Sequence, residues 1–309
     1  MIPADFLQID LPAIMAAVLA CLACSVAGTF LVLRRQSLMG DAISHAILPG
    51  IVLGFLIAGT RATMPMMAGS LAAALIAALM IELLRHRARM EAGAAMGVTF
   101  TILFAFGILL IEQAAARSVD LDADCVLYGQ LEDILWLAPR RWSDLLSART
   151  WLDLPREVVT LACVSAAIAG VTVLFFKEIT VAIFDPVLST MLGFRTGLVH
   201  LGLTGLAAIA AVASFEAVGS ILVIAMLICP PATARLLTDR LKTQIWLSAV
   251  IGMACGTVGY ILAAWGPFWL GGNASLNAAG MIAVTAGLVL GLTVLLAPRY
   301  GVLFRPRKI

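Results

Sequence analysis

The sequence predicts an all-α protein, a polytopic bundle of transmembrane helices, and its composition is the first reason. Of its 309 residues, 62% are hydrophobic and only 12% are charged, about half the charged fraction of an ordinary soluble domain. A soluble fold keeps much of its surface wetted, whereas a protein in a bilayer can be apolar on its outside as well. The net charge of +2 gives no indication of nucleic-acid binding.

The second reason is a series of apolar stretches that are long enough to cross a membrane. A helix needs about 20 apolar residues to cross ~30 Å of hydrocarbon. About nine stretches qualify, namely residues 11–33, 37–60, 64–84, 95–113, 157–176, 197–213, 218–236, 243–265 and 276–297. No domain boundary or internal repeat interrupts them, so we expect residues 1–309 to form a single domain.

Basic residues predict the orientation of the bundle. They follow every second predicted span, at residues 34–35, 85–89, 177, 235–242 and 299–308. Because cytoplasmic loops carry an excess of Lys and Arg, these connections should be cytoplasmic, with the N-terminus outside and the C-terminus inside. Residues 114–156 are predicted to lie on the extracytoplasmic side. This connection contains both acidic and basic residues, together with Trp136, Trp142 and Trp151. It is predicted to form an interfacial segment along the membrane surface.

Asp41 and His45 are ionisable residues inside the second predicted span. Their i, i+4 spacing places both side chains on one face of a helix. A carboxylate and an imidazole together suit a borderline divalent ion such as Mn²⁺, Zn²⁺ or Fe²⁺. Proton handling is a second possible role, and an Asp–His ion pair that only fixes helix packing is a third interpretation.

Glu216 begins the seventh predicted span and is a candidate third ligand. It fits equally well as a solvated acid at a helix start, where the helix dipole favours a negative charge. The predicted topology places Glu216 near the outer face and Asp41 near the inner face. A shared site would therefore require a broken or shifted helix.

The connection 178–196 contains the signals for a short helix between two spans. Asp185 and Pro186 fit the N-cap and the first helical position, and Gly193 fits the stop. On the cytoplasmic side, this amphipathic segment could lie along the membrane or dock into a partner.

Several catalytic motifs are absent from the sequence. It contains no G-x-x-x-x-G-K-[ST], no H-E-x-x-H and no G-x-S-x-G, so nothing indicates a P-loop ATPase, a zincin protease or an α/β-hydrolase. We expect a transport protein without its own nucleotide-binding motif rather than an enzyme.

Three blocks resemble one known family. Residues 33–50, LRRQSLMGDAISHAILPG, resemble the signature of the manganese/zinc/iron class of bacterial ABC importer permeases. Residues 184–186, FDP, followed by Gly193, resemble the cytoplasmic coupling segment of that family. A third block runs from residues 217–223 to residues 231–239, and the similarity extends in order over roughly 11–297.

The resemblance implies a type II ABC importer permease in the bacterial inner membrane. Two permease subunits, identical or homologous, would form the channel, a dimer of ATPase subunits would bind ATP below them, and an extracytoplasmic metal-binding protein would deliver the ion. Asp41 and His45 match the metal pathway, whereas Asp185, Pro186 and Gly193 match the ATPase-docking segment. Glu216 stands where the family has a variable polar residue. No permanently bound cofactor is implied.

Two other functions remain as alternatives. In a proton-coupled secondary metal transporter, Asp41 and His45 would relay protons and no ATPase would be needed. In a membrane enzyme or scaffold, the same pair would be catalytic or structural, but no nucleophile motif accompanies it.

Overall fold

The computed structural model describes residues 6–59, 63–115, 129, 131–139, 141–269, 271–272, 275–297 and 301–303. All regular elements within these ranges are helical. They are α1 (Asp10–Leu33), α2 (Met39–Ala58), α3 (Thr63–Arg87), α4 (Ala92–Ala115), α5 (Ala148–Leu152), α6 (Arg156–Leu174), α7 (Phe176–Phe184), α8 (Pro186–Met191), α9 (Thr196–Leu237), α10 (Leu241–Trp269) and α11 (Ala278–Leu296), with two 3-10 turns, Leu131–Asp133 and Trp142–Leu146.

Eight of the helices in the described ranges are long and apolar enough to cross a membrane, and these are α1, α2, α3, α4, α6, α9, α10 and α11. The prediction of a polytopic helix bundle is therefore confirmed. The three short helices, α5, α7 and α8, are connections between the long ones.

Helix α1 forms the centre of the bundle. In its most apolar stretch of 18 residues, 72% of the residues are buried, whereas the corresponding share in α11 is 17%. Its buried face carries small residues such as Ala16, Ala20 and Ala27, and small residues let neighbouring helices approach closely. Gly28 shows how close the approach is, because a Cβ there would collide with the backbone carbonyl of Leu227 in α9. We call the two ends of the bundle the Asp10 end and the Arg34 end, after residues at the two ends of α1.

Arg34 ties α1 to the start of α9. Its Nη1 donates hydrogen bonds to the carbonyl oxygen of His200 and to Oγ1 of Thr204, both at 3.1 Å. Burial is the main cause that lowers the pKa of Arg34 to about 10. The nearby Glu82 carboxylate acts to raise this pKa, and the charge of Arg85 acts to lower it. Since this pKa lies well above neutral pH, the guanidinium stays charged and the tie is charge-assisted.

Helix α10 runs antiparallel to α1. Ser248 Oγ donates to the carbonyl oxygen of Ser25 at 3.0 Å, and the Tyr260 hydroxyl donates to Asp10 Oδ1 at 2.9 Å. The start of α10, Leu241, therefore lies at the Arg34 end. Because Leu237 precedes it by only a few residues, the last turn of α9 must lie at that end too.

Helix α9 consequently has both of its ends at the Arg34 end, although it contains 42 residues. A straight helix of this length would be about 63 Å long, roughly twice the membrane core. It reverses at Gly219, whose φ of 73° and ψ of 173° are not helical and lie in a region that is essentially restricted to glycine. Predicted spans six and seven are thus two antiparallel arms of one element, so the eight long helices make nine passes.

Because the helices alternate in direction, the basic connections lie together at one end of the bundle. Five of these basic residues lie at the starts or ends of elements that meet at the Arg34 end, namely Arg34, Arg85, Lys177, Arg235 and Lys242. The residues of the last basic cluster, 299–308, lie outside the described residues, apart from 301–303.

The Asp10 end is covered by residues 131–139. Trp136 is fully buried, and its backbone N–H donates to the carbonyl oxygen of Gln8 at 2.9 Å. Glu132 Oε1 accepts a hydrogen bond from the backbone N–H of Ala278, the first residue of α11, at 2.9 Å. Gly129 lies directly against the reversal at Gly219. This stretch therefore locks together α1, α11 and the turn of α9.

The expected interfacial segment, residues 114–156, is only partly visible in this arrangement. Residues 116–128, 130 and 140 lie outside the described residues. Trp142 and Trp151 are exposed, as interfacial anchors would be, whereas Trp136 lies beneath the cover.

Candidate metal centre

Asp41 and His45 lie one turn apart at the start of α2, at the Arg34 end. His45 Nε2 is 3.3 Å from Asp41 Oδ1, and the two side chains are 26% and 38% exposed, respectively. The prediction that the i, i+4 spacing places them on one helical face is confirmed. An apolar helix thus presents a carboxylate and an imidazole on a face that the chain itself covers only in part.

Two phenylalanines from α4 hold the imidazole in place. The ring centroid of His45 is 4.7 Å from that of Phe100 and 5.3 Å from that of Phe104, both in edge contacts. The two phenylalanine rings stack at 5.7 Å. Nothing in the sequence marks these two residues as part of the site beyond their i, i+4 spacing in an apolar helix.

The opposite face of α2 is packed closely against its neighbours. A Cβ on Gly40 would meet the side chain of Leu227 in the returning arm of α9, and Ser44 Oγ donates to the Gly40 carbonyl oxygen at 2.9 Å. Pro49 has no N–H to donate to the carbonyl of His45, four residues before it. The carbonyl oxygen of His45 therefore lacks its ordinary helical donor.

Within the described ranges, no group of three or more His, Cys, Asp and Glu side chains comes together to hold a metal ion. Asp41 and His45 therefore offer an ion two side-chain ligands at most, whereas tetrahedral zinc sites use four ligands and hard cations six or more. Alone, the pair would not complete a metal site.

The structure does not bring Glu216 to this pair. Glu216 lies three residues before the reversal of α9, and its charged neighbours are Arg156 and Glu157 at the start of α6. Because the reversal lies at the Asp10 end and Asp41 at the Arg34 end, the two carboxylates lie at opposite ends of the bundle. The structure therefore separates Glu216, the candidate third ligand, from the Asp41–His45 pair, as the predicted topology indicated.

The predicted short helix between two spans is confirmed as α8. Asp185 is its N-cap, and Oδ1 accepts a hydrogen bond from the Leu188 N–H at 2.9 Å. Pro186 occupies the first helical position, where its missing N–H costs nothing. Gly193 follows the helix with a φ of 84°, a left-handed conformation that suits glycine at a helix end.

The segment α7–α8 lies at the Arg34 end and exposes apolar side chains. The exposed members are Phe184, Val187, Leu188, Met191 and Leu192. His200 Nε2 lies 3.3 Å from the carbonyl oxygen of Ala182 in α7, and the carbonyl oxygen of His200 accepts from Arg34. A continuous set of hydrogen bonds therefore runs from this segment to the connection that leads into Asp41.

The fold and these sites define the chain as a multi-pass membrane permease, with a short exposed helix at one end and an ionisable pair in the bundle. A family comparison then gives the particular class. The model of the ABC 3 transport family matches residues 6–136 and 153–296, and the chain belongs to this family.

Two relatives with curated names are similar over nearly the whole chain. The zinc transport system membrane protein TroD of Treponema pallidum (strain Nichols) is 36% identical over 292 residues, which is 94% of this chain and 75% of TroD. The manganese transport system membrane protein MntD of Bacillus subtilis (strain 168) is 35% identical over 287 residues, which is 93% of this chain and 91% of MntD.

A solved structure shares the fold. PsaBC from Streptococcus pneumoniae, in complex with Fab, has a chain that superposes with a TM-score of 0.71 at 28% identity, covering 93% of this chain and 91% of that chain. The resemblance to metal-importing ABC permeases is thereby confirmed at the level of family and fold.

Proposed function

We propose that this permease imports a divalent transition metal ion, manganese or zinc, and that a separate ATPase dimer supplies the energy. The relatives described above carry names for manganese and zinc transport, which narrows the expected set of manganese, zinc and iron. Membership of an ABC family speaks against the proton-coupled alternative, because ABC transport is driven by ATP.

The single observation that carries this proposal is the incompletely covered Asp41–His45 pair. A charged side chain in contact with lipid costs several kcal/mol, so such residues face a bundle interior or a water-filled path. Asp41 is nevertheless 38% exposed in a helix that is otherwise apolar. A second permease subunit on this face would cover the pair and, if identical, would add a second Asp41 and His45 to give four ligands.

The residues then have separate roles toward the passing ion. The Asp41 carboxylate offsets the cost of removing water from the cation. The His45 imidazole is a borderline ligand that favours Mn²⁺ or Zn²⁺ over Ca²⁺ and Mg²⁺, which prefer oxygen. Phe100 and Phe104 keep the imidazole oriented. Binding is expected to be weak, because conduction requires release.

The proposed orientation follows from the basic residues. The Arg34 end collects them and is therefore cytoplasmic, which also places Leu296, the last residue of α11, on the cytoplasmic side. The exposed apolar side chains of α7–α8 would dock the ATPase dimer there. The covered Asp10 end would receive the ion from an extracytoplasmic metal-binding protein, and the protein would lie in a bacterial inner membrane.

Metal uptake by proteoliposomes tests this function. They would contain the chain with its candidate ATPase, and the binding protein would be supplied outside. Uptake of Mn²⁺, Zn²⁺ and Fe²⁺ would be compared with and without ATP on the side of the membrane where the ATPase lies. We expect ATP-dependent accumulation of Mn²⁺ or Zn²⁺. Accumulation driven by a pH gradient without ATP would refute the importer and assign Asp41 and His45 to proton transfer.

The N-cap of α8 provides a test of the proposed ATPase docking. Replacing Asp185 with alanine removes the hydrogen bond to the Leu188 N–H, and losing such a cap costs about 1 kcal/mol, or about fivefold in an equilibrium constant. We expect uptake to fall about fivefold as α8 frays.

Asp185→Asn is the matched control, because asparagine caps helices as well as aspartate does. Its uptake and its affinity for the ATPase should stay close to wild type. Equal uptake by Asp185→Ala and wild type would contradict a docking role for this helix.

A further inference from the structure

A deep cleft opens on the side of the bundle between α6 and α10. Helix α1 forms its floor with Leu22 and Val26, and the cavity has a volume of about 730 Å³. Sites for small ligands have volumes of about 300–1,000 Å³. The walls toward the middle of the bundle are apolar, with Val173, Ala249 and Met253 among the lining residues.

The cleft occupies only one half of the bundle. On α10, its lining runs from Met253 to Lys242, which corresponds to about 16 Å along the helix. This is about half of the ~30 Å hydrocarbon core. The cleft therefore has the depth of one leaflet, and it lies in the leaflet at the Arg34 end. A transmembrane helix from a second subunit would instead need a groove along the full height of the bundle.

Two lysines stand at the mouth of the cleft, where the Arg34 end meets water. Lys177 and Lys242 are both exposed lining residues, and Lys242 Nζ is held 5.4 Å from the ring centroid of Phe176. Glu178 also lines the cleft, but its Oε2 is buried and has no hydrogen-bond partner among the described residues. The net charge of these three lining residues is thus positive, and ammonium groups bind phosphate.

An indole marks the level of the membrane surface beside these lysines. Trp246 lies one turn further into the membrane than Lys242 and is 72% exposed. Tryptophan is enriched at the level of lipid headgroups, where its ring is half apolar and its N–H is wet. The order along α10 is therefore a cation, an interfacial aromatic residue and then an apolar wall, which matches the order of parts in a phospholipid.

We propose that this cleft binds an anionic glycerophospholipid of the cytoplasmic leaflet, with its phosphate between Lys177 and Lys242 and an acyl chain along α1. The proposal depends on the membrane orientation and is independent of the transported metal. Because an acyl chain only exchanges one apolar surrounding for another, the headgroup decides the preference. We expect phosphatidylglycerol to be favoured over zwitterionic phosphatidylethanolamine roughly tenfold, since each lysine near the headgroups contributes a few-fold.

Native mass spectrometry of the purified full chain tests the proposal. The chain would be equilibrated in micelles that contain equal amounts of phosphatidylglycerol and phosphatidylethanolamine, and the lipids retained would be counted. We expect one phosphatidylglycerol per chain. The double variant Lys177→Gln, Lys242→Gln should lose this retention about tenfold, whereas Arg240→Gln, a nearby basic residue outside the lining, should not.

A second variant separates a lipid from a protein occupant. Ala169→Trp fills the cleft without changing its charge and should also abolish retention of phosphatidylglycerol, while size-exclusion chromatography shows an unchanged oligomeric state. Equal retention of both lipids by the wild type would overturn the proposal. So would full retention by the double lysine variant, or an oligomeric state that changes with Ala169→Trp.

Discussion

Alanine in place of Asp41 is expected to lower metal uptake about 100-fold and to leave the protein folded and assembled. In the proposed site a second subunit covers the pair, and truncating one member of a charged contact buried in this way costs about 2–5 kcal/mol, where 1.4 kcal/mol corresponds to a factor of ten. The loss falls on the ion, because Asp41 faces away from the contact between α2 and Leu227 and is 38% exposed.

The chain contains a closely matched control for this variant. Asp239 also forms an i, i+4 ion pair, with Arg235, at 3.6 Å, and it is 40% exposed at the same end of the bundle. Partly exposed pairs of this kind contribute only about 0.2–1 kcal/mol to stability. Asp239→Ala should therefore take up metal at the wild-type rate. Both variants would be measured for ATP-dependent uptake and for thermal stability.

The control also distinguishes the interpretations of the Asp41–His45 pair. If the pair only fixed helix packing, Asp41→Ala and Asp239→Ala would have the same small effect on stability and neither would affect uptake. Normal uptake by a folded Asp41→Ala protein would remove the metal-site assignment. A loss of uptake without a loss of ATP hydrolysis supports it.

Alanine in place of Gly219 is expected to cause the largest loss of stability. The reversal of α9 needs a φ of 73° with a ψ of 173°, and a side chain there costs on the order of 1–3 kcal/mol. Gly129 also lies against the backbone of the turn, so the turn has little room to relax. We expect the melting temperature in detergent to fall by roughly 2–5 °C, with a lower yield of monodisperse protein.

Gly202 is the matched control in the same helix. A Cβ there would meet nothing within 4 Å, and alanine is about 1 kcal/mol better than glycine inside a helix. Gly202→Ala should therefore melt at or slightly above the wild-type temperature. If Gly219→Ala had the same melting temperature as Gly202→Ala, the reversal would not depend on glycine.

Local features of this protein were readable from the sequence because their physics is local. The N-cap at Asp185, the proline after it and the glycine at position 193 specify α8 through neighbouring backbone groups alone. Asp41 and His45 share a face because helical geometry fixes their spacing. The ends of α1, predicted at 11–33 and found at Asp10–Leu33, follow from where apolar residues begin and stop.

Features that depend on helix packing were not readable in the same way. Hydropathy placed a break within residues 214–217, whereas the chain reverses at Gly219, because backbone freedom and not polarity decides where a buried turn forms. The contact of Phe100 and Phe104 with His45 joins α4 to α2, and no periodicity within either helix indicates its neighbour. Trp136 resembled an interfacial anchor but is buried because residues 131–139 cover the helix ends.

The central position of α1 has a consequence for how the chain is made. Helix α1 leaves the ribosome well before its main partners, the two arms of α9, which begin only after more than 160 further residues have been synthesised. Until then, its rows of alanine and glycine face lipid or transient neighbours. The helices can therefore insert into the membrane in chain order, but the core of the bundle packs late. It forms only when the hairpin of α9 inserts beside α1, which is already in the membrane.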